Sequence, residues 1–137
     1  MSIVCPFCNI VSGKTPASII YEDASVLAFM DANPANIGHT LVIPKEHWKN
    51  IYEIPEKILT EVATVVKRIS SAVKKTVSAE GISIIQLNGR AAGQSVMHFH
   101  VHVMPRFRGD YIVRHNVLEK PERSELDEIA QKIQKNL

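Results

Sequence analysis

Residues 98–105 read His-Phe-His-Val-His-Val-Met-Pro, three imidazoles at strict spacing two with apolar residues between them. Few stretches restrict a chain more. On an extended strand the side chains alternate between faces. His98, His100 and His102 then share one face, and Phe99, Val101 and Val103 share the other. On a helix the same histidines would scatter around the axis. The stretch is therefore read as a strand ending at Pro105, a row of imidazoles backed by an apolar surface.

The other elements are placed around that strand. Residues 5–13 hold a cysteine pair and a short apolar stretch, read as a short helix or helical turn that Thr15-Pro16 breaks. Ile19–Glu22 and Val26–Asp31 read as a hairpin turning at Asp23-Ala24-Ser25. Asn33 to Gly38 is a loop by its turn residues. His39 to Ile43 is apolar on both faces, as a central strand is, and is stopped by Pro44. Pro55 opens a long helix. Ile58, Leu59, Val62, Val65, Val66, Ile69, Ala72 and Val73 form one apolar stripe along it, and Gly81 suits its stop. Ile82–Asn88 reads as a strand, and residues 88–95 as a glycine-punctuated loop leading to the histidines. Phe107–Leu118 reads as loop. Ser124 with Asp127 forms a capping box for a last amphipathic helix carrying Leu126, Ile129, Ala130 and Ile133. The sum is one α+β domain over residues 1–137: an antiparallel sheet of five strands, one long helix packed on it, and short helices near the two ends.

Composition limits the function classes. The 16 basic residues are interleaved with 14 acidic ones for a net charge of +2, too balanced for a nucleic-acid tracker, and no basic stripe with aromatics is visible. No apolar run is long enough to span a membrane, and no secretory signal is present, so the expected location is the cytoplasm.

Alternate residues on a strand lie about 6.5–7 Å apart, which puts His98 and His102 about 13 Å apart. One metal ion can take two neighbouring histidines of the row but not three. Imidazole also serves as a nucleophile toward phosphorus, one nitrogen attacking while the proton on the other is held, with flanking histidines binding the phosphate oxygens. The bland alternative is a solvent-facing strand that happens to carry histidines.

The motif His98-x-His100-x-His102 followed by apolar residues closely resembles the signature of the histidine triad superfamily. Gly38-His39-Thr40-Leu41-Val42-Ile43-Pro44 and Gly93-Gln94-Ser95-Val96 resemble that family as well, and the likeness runs from about Cys5 to Asp110. The resemblance implies a nucleotide hydrolase or transferase that cleaves at the α-phosphorus, with His100 taking the nucleotidyl group covalently. It implies that His102 and His39 contact the phosphate, Gln94 and Ser95 the phosphate or leaving group, and Asn88 the phosphate end. Asp31 would accept the ribose hydroxyls. Phe7, Ile10 and Phe29 would line the base pocket, although each also reads as plain core.

Gln94-Ser95-Val96 is similar to the nucleotide-binding branch, which prefers nucleoside phosphoramidates and aminoacyl-adenylates. Met104-Pro105-Arg106 with Gly109-Asp110-Tyr111 is similar to the branch that splits dinucleoside polyphosphates. A C-terminal extension from about Tyr111 sets the chain apart from the animal nucleotide-binding branch. Family members are usually homodimers. Two further readings stand beside hydrolysis: transfer of the nucleotidyl group to a second substrate, and a nucleotide-binding or zinc-stabilised interaction module with little turnover.

Cys5-Pro6-Phe7-Cys8 holds both cysteines of the chain. Such a pair is half a zinc site, or a redox pair where it follows a strand at a helix start. No strand precedes it here. The resemblance supplies two further ligands, His47 and His98, and so implies a closed, structural zinc that leaves His100 and His102 for chemistry.

Overall fold

The computed structural model describes residues 4–110 and 120–137. In chain order the elements are α1 (Pro6–Val11), β1 (Ile19–Glu22), β2 (Val26–Met30), β3 (Thr40–Pro44), α2 (Glu56–Val77), β4 (Gly81–Gln86), a 3-10 turn (Arg90–Ala92), β5 (Val101–Arg106) and α3 (Arg123–Lys135). The five strands form one antiparallel sheet in the order β1-β2-β3-β5-β4. The expected α+β architecture is what the chain adopts. Most of Phe107–Leu118, read as loop, lies outside the described residues, as does the start of the C-terminal extension.

The sheet has two covered faces, and alternation along β2 shows both. Val26, Ala28 and Met30 point into a core shared with Val62, Ile69 and Val73 of α2 and with Leu126, Ala130 and Ile133 of α3. Leu27 and Phe29 point the other way, into a smaller cluster with Leu41, Ile43 and Phe7. Every residue of β2 and β3 is buried for this reason. Phe99, Val101 and Val103 face the helical core, so the triad histidines face the smaller cluster.

Several strand ends differ from the sequence expectations by one or two residues, and four boundaries differ for a local reason. Pro55 is the residue before α2 rather than its first helical position. The helix stops at Ser78, which takes the left-handed conformation at φ 55°, while Ala79 N–H returns to the Lys74 carbonyl; Gly81 instead begins β4. Ser124 lies inside α3 and makes no cap. The residue before that helix is Glu122, and the Asp127 carboxylate is engaged by the Ser18 hydroxyl at 2.6 Å. The strand at the triad begins at Val101, so His98 and His100 sit on its extended lead-in. The ladder with β3 ends at the pair Val42–Val101. Beyond it, Pro44 has no N–H to give, and His98 Nε2 donates to the Pro44 carbonyl instead at 2.8 Å.

Candidate functional site

The extended run into β5 and the turn before β3 bring three imidazoles into contact. His100 and His102 ring centroids are 5.0 Å apart, and His39 and His102 are 5.2 Å apart. All three rings are buried. His39 is delivered by a tight turn. Its own N–H bonds the Asn36 carbonyl, and its carbonyl accepts from Asp31 N–H. Gly38, at φ +88°, is the one residue that fits there, because a Cβ would stand 3.1 Å from Val77 and 3.2 Å from Pro105.

Hydrogen bonds assign the tautomers. Ala35 N–H donates to His39 Nδ1 at 2.9 Å, so the His39 proton sits on Nε2. His39 Nε2 meets His102 Nδ1 at 2.9 Å, which makes His102 Nδ1 the acceptor and puts the His102 proton on Nε2. His100 is set the opposite way. Its Nδ1 donates to the His98 carbonyl at 2.7 Å, which leaves the lone pair on Nε2. Two neighbouring rings thus carry opposite chemistry: a nitrogen nucleophile on one, an N–H donor on the other.

These rings stand at one end of a cavity of about 430 Å³. Phe7, Ile10 and Phe29 form apolar walls, and Asp31, Asn33 and Ser95 also line it. Phe7 presents its ring edge-on to both Phe29 (5.6 Å) and His100 (5.1 Å). Asp31 Oδ1 accepts from Asn33 N–H at 2.8 Å, and burial raises the Asp31 carboxyl to about 6 against that bond. Asp31 Oδ2 lies 3.5 Å from His39 Nε2. Asp31, His39 and His102 have the spacing of a metal cluster. The His39 tautomer argues against metal there, because the nitrogen turned toward the cluster carries a proton.

Two expected site residues are placed elsewhere. Asn88 Oδ1 accepts from Ile51 N–H at 2.7 Å, and its amide pairs reciprocally with Gln86. Gln94 is buried. Its Oε1 accepts from Gly89 N–H, and its Nε2 donates to the Lys49 and Val96 carbonyls. Both side chains brace the loop that carries Ser95, and neither lines the cavity. Sequence reasoning did not single out Lys120 and Arg123, which also line it; they arrive from the C-terminal segment, and no local motif marks them.

Cys5, Cys8, His47 and His98 converge on the far side of Phe7, their ligand atoms all within 4.8 Å of one another. Cys5 Sγ is 3.4 Å from His98 Nδ1, and Cys8 Sγ is 3.4 Å from His47 Nδ1 and 3.6 Å from His98 Nδ1. A sulfur and a nitrogen on one tetrahedral zinc are about 3.6 Å apart, from bonds of about 2.3 and 2.0–2.1 Å. The donor set therefore fits such an ion. The bond from His98 Nε2 to Pro44 fixes the tautomer that leaves Nδ1 to bind metal. Burial lowers His98 to about 4, which keeps the ring neutral. Burial, with the bond and charge of Cys5, raises the Cys8 thiol to about 11; a bound divalent ion reverses that.

Comparison with known proteins agrees with this geometry. The HIT domain model matches residues 12–109. A hypothetical histidine triad nucleotide-binding protein of Sulfolobus tokodaii is 35% identical with a TM-score of 0.88, over 96% of this chain and 91% of that one. A Zn-bound histidine triad family protein of Mycobacterium smegmatis is 38% identical with a TM-score of 0.85, over the same shares. The adenylylsulfatase of Arabidopsis thaliana is 37% identical over 106 residues, 77% of this chain and 54% of that longer protein. With three histidines in the family's order and a domain match over most of its length, the chain belongs to the HIT domain family.

Proposed function

We propose that the protein hydrolyses nucleoside phosphoramidates or related adenylates at the α-phosphorus through a covalent nucleotidyl-His100 intermediate. The observation that carries this is the opposed pair of tautomers on His100 and His102. The base lies against Phe7, Ile10 and Phe29, and Asp31 accepts the ribose hydroxyls. His100 Nε2 forms a bond to phosphorus as the bond to the leaving nitrogen breaks. The amine departs with a proton passed through the Ser95 hydroxyl and replaced from water. His102 Nε2–H holds a phosphate oxygen as charge builds, and His39, whose Nε2–H is given to His102 Nδ1, fixes the His102 tautomer that makes this possible. Water then attacks phosphorus, the His100–phosphorus bond breaks, the water's proton leaves to solvent, and a nucleoside monophosphate is released. Gln94 and Asn88 hold the Ser95 loop in place.

Phosphoramidates are preferred over dinucleoside polyphosphates because Arg106 and Asp110, which suggested the latter, clasp each other at 2.6 Å in the turn after β5. They do not line the cavity. Purified protein incubated with adenosine 5′-phosphoramidate should release adenosine monophosphate. His100→Ala should cut that rate by at least ~10³-fold. Equal rates for the two proteins would overturn the nucleophile. No turnover here, with cleavage of diadenosine polyphosphates instead, would move the protein to the other branch. Binding without turnover of either would leave the interaction module.

The zinc is proposed as structural. Cys5, Cys8, His47 and His98 would hold it, and it would supply a cross-link between α1 and the sheet. The proposal includes a cytoplasmic homodimer formed by one domain over residues 1–137, with the half-exposed Ile84 on the edge strand β4 as a contact. Among the described residues no helix is long and apolar enough to cross a membrane. Light scattering on the eluted protein gives the oligomer mass.

A further inference from the structure

A second cavity, of about 260 Å³, opens beside the first. It is lined by Val4, Pro6, His47, Lys49, Ser95 and Met97, among others. Pro6, Ser95 and Val96 line both cavities, so the two share one wall. In the reaction proposed above, the bond to the leaving group breaks on the side of phosphorus opposite the attacking nitrogen. With the base against Phe7 and Phe29 and the phosphorus at His100, a leaving group that departs along the wall formed by Pro6, Ser95 and Val96 enters the second cavity.

With Cys5 and His47 assigned to the metal cluster, Lys49 is the one charged residue among the described residues that line it. Its backbone is fixed at both ends of the residue. Lys49 N–H donates to Glu53 Oε2 at 2.9 Å, and its carbonyl accepts from Gln94 Nε2 at 2.7 Å. The same Gln94 amide accepts from Gly89 in the Ser95 loop. Lysine and serine are thus held in register across the mouth between the two cavities.

We infer that this second cavity is the leaving-group subsite and that Lys49 selects amines carrying a negative group, a carboxylate above all. The inference rests on the phosphoramidase reading. The subsite receives an amine bonded to phosphorus through nitrogen. The apolar Val4, Pro6 and Met97 hold its carbon skeleton, and the Lys49 ammonium meets its carboxylate. No atom is exchanged beyond the hydrolysis already written.

The test uses two adenosine 5′-phosphoramidates that differ in one group: N-linked β-alanine with its free carboxylate, and the same compound as the carboxamide. The wild type should favour the carboxylate in kcat/KM. Lys49→Ala should reduce that preference roughly three- to fivefold, the worth of an exposed ion pair, and Lys49→Arg should keep most of it. The preference should also shrink between about 0.02 M and 0.5 M salt, as screening shortens the reach of the charge. A melting curve of each variant checks folding, which the substitutions spare because the Lys49 hydrogen bonds are main-chain. If both compounds are cleaved and Lys49→Ala leaves their ratio as it was, the subsite assignment is overturned while the phosphoramidase reading stands. If the wild type cleaves neither, the phosphoramidase reading fails and takes the subsite with it.

Discussion

Asp31 shows how much a single residue gives up for its place in the site. Its carboxyl is raised to about 6 by burial, against about 3.9 in an unfolded chain. Below about pH 4 it is protonated in both states and costs nothing. Between about 4 and 6 the native protein keeps a proton that the unfolded chain has lost, so this group's contribution to stability falls as pH rises. Above about 6 the full penalty of roughly 2–3 kcal/mol applies. Asp31→Asn removes the ionisation and keeps an oxygen for Asn33 N–H. It should raise stability by about 1–2 kcal/mol at pH 7, with the gain vanishing by pH 4 in urea titrations, and it should weaken nucleotide binding. A gain that persists at pH 4 would mean that something other than the buried charge is at work. At this scale the sequence was legible where a residue's role follows from its type and spacing. His100, His102, His39 and Asp31 lie together, and Cys5, Cys8, His47 and His98 form a second group. Asn88 and Gln94 were not legible in the same way. An amide can face a ligand or brace a loop, and which it does depends on carbonyls of Lys49 and Val96 and amides of Ile51 and Gly89 that no spacing rule reveals.

At the scale of elements, α1 does work out of proportion to its six residues. Cys5 caps it by accepting Cys8 N–H, Pro6 starts it, and Phe7 on it touches the rings of Phe29, His98 and His100. A helix this short does not hold itself; the zinc proposed at Cys5, Cys8, His47 and His98 would anchor it. If that zinc is bound as proposed, a strong chelator should lower the melting temperature and speed amide exchange over residues 5–12. Exchange in β2 and β3 should stay slow. A chelated protein that melts as before, after metal analysis has shown zinc, would sink the structural role. The end of α2 makes a different point. Periodicity located the helix, and the stripe from Ile58 to Val73 packs as its spacing requires. Its stop was misread because glycine is the usual left-handed residue and Gly81 stood nearby, whereas Ser78 takes that conformation at φ 55°. Ser78→Gly should stabilise the protein by about 1 kcal/mol, read as a shifted urea midpoint at unchanged slope. A destabilised variant would show that the serine side chain earns its position by contacts rather than tolerating it.

Across the whole molecule the sheet separates what holds the protein together from what it does. One face is apolar and closed by α2 and α3; the other carries the histidines, Asp31 and the cluster around Phe7. β2 and β3 belong to both, which is why each is buried throughout. Ile133 tests the separation from the helical side. It is fully buried in α3, on the face opposite the cavity, within the core shared with Val73 and Leu126. The helix that carries it is tied to the rest by Asn136 to Thr76 at 2.9 Å and by Gln134 to the Ile19 carbonyl at 3.1 Å. Ile133→Ala should cost roughly 2–5 kcal/mol, the transfer of the lost methyl groups plus the cavity left behind. Well below the new melting temperature, kcat/KM should stay near that of the wild type, because nothing at Ile133 touches the imidazoles. Asp31→Asn should do the reverse, gaining stability and losing function. If Ile133→Ala instead lowers kcat/KM in proportion to its loss of stability, the two faces are coupled. The route for that coupling would be α3 itself, whose first residue, Arg123, lines the cavity and donates to Ser18 at 2.9 Å. Adding Arg123→Ala to the Ile133 variant then decides the matter: a coupled pair gives less than additive losses, and an uncoupled pair gives their sum.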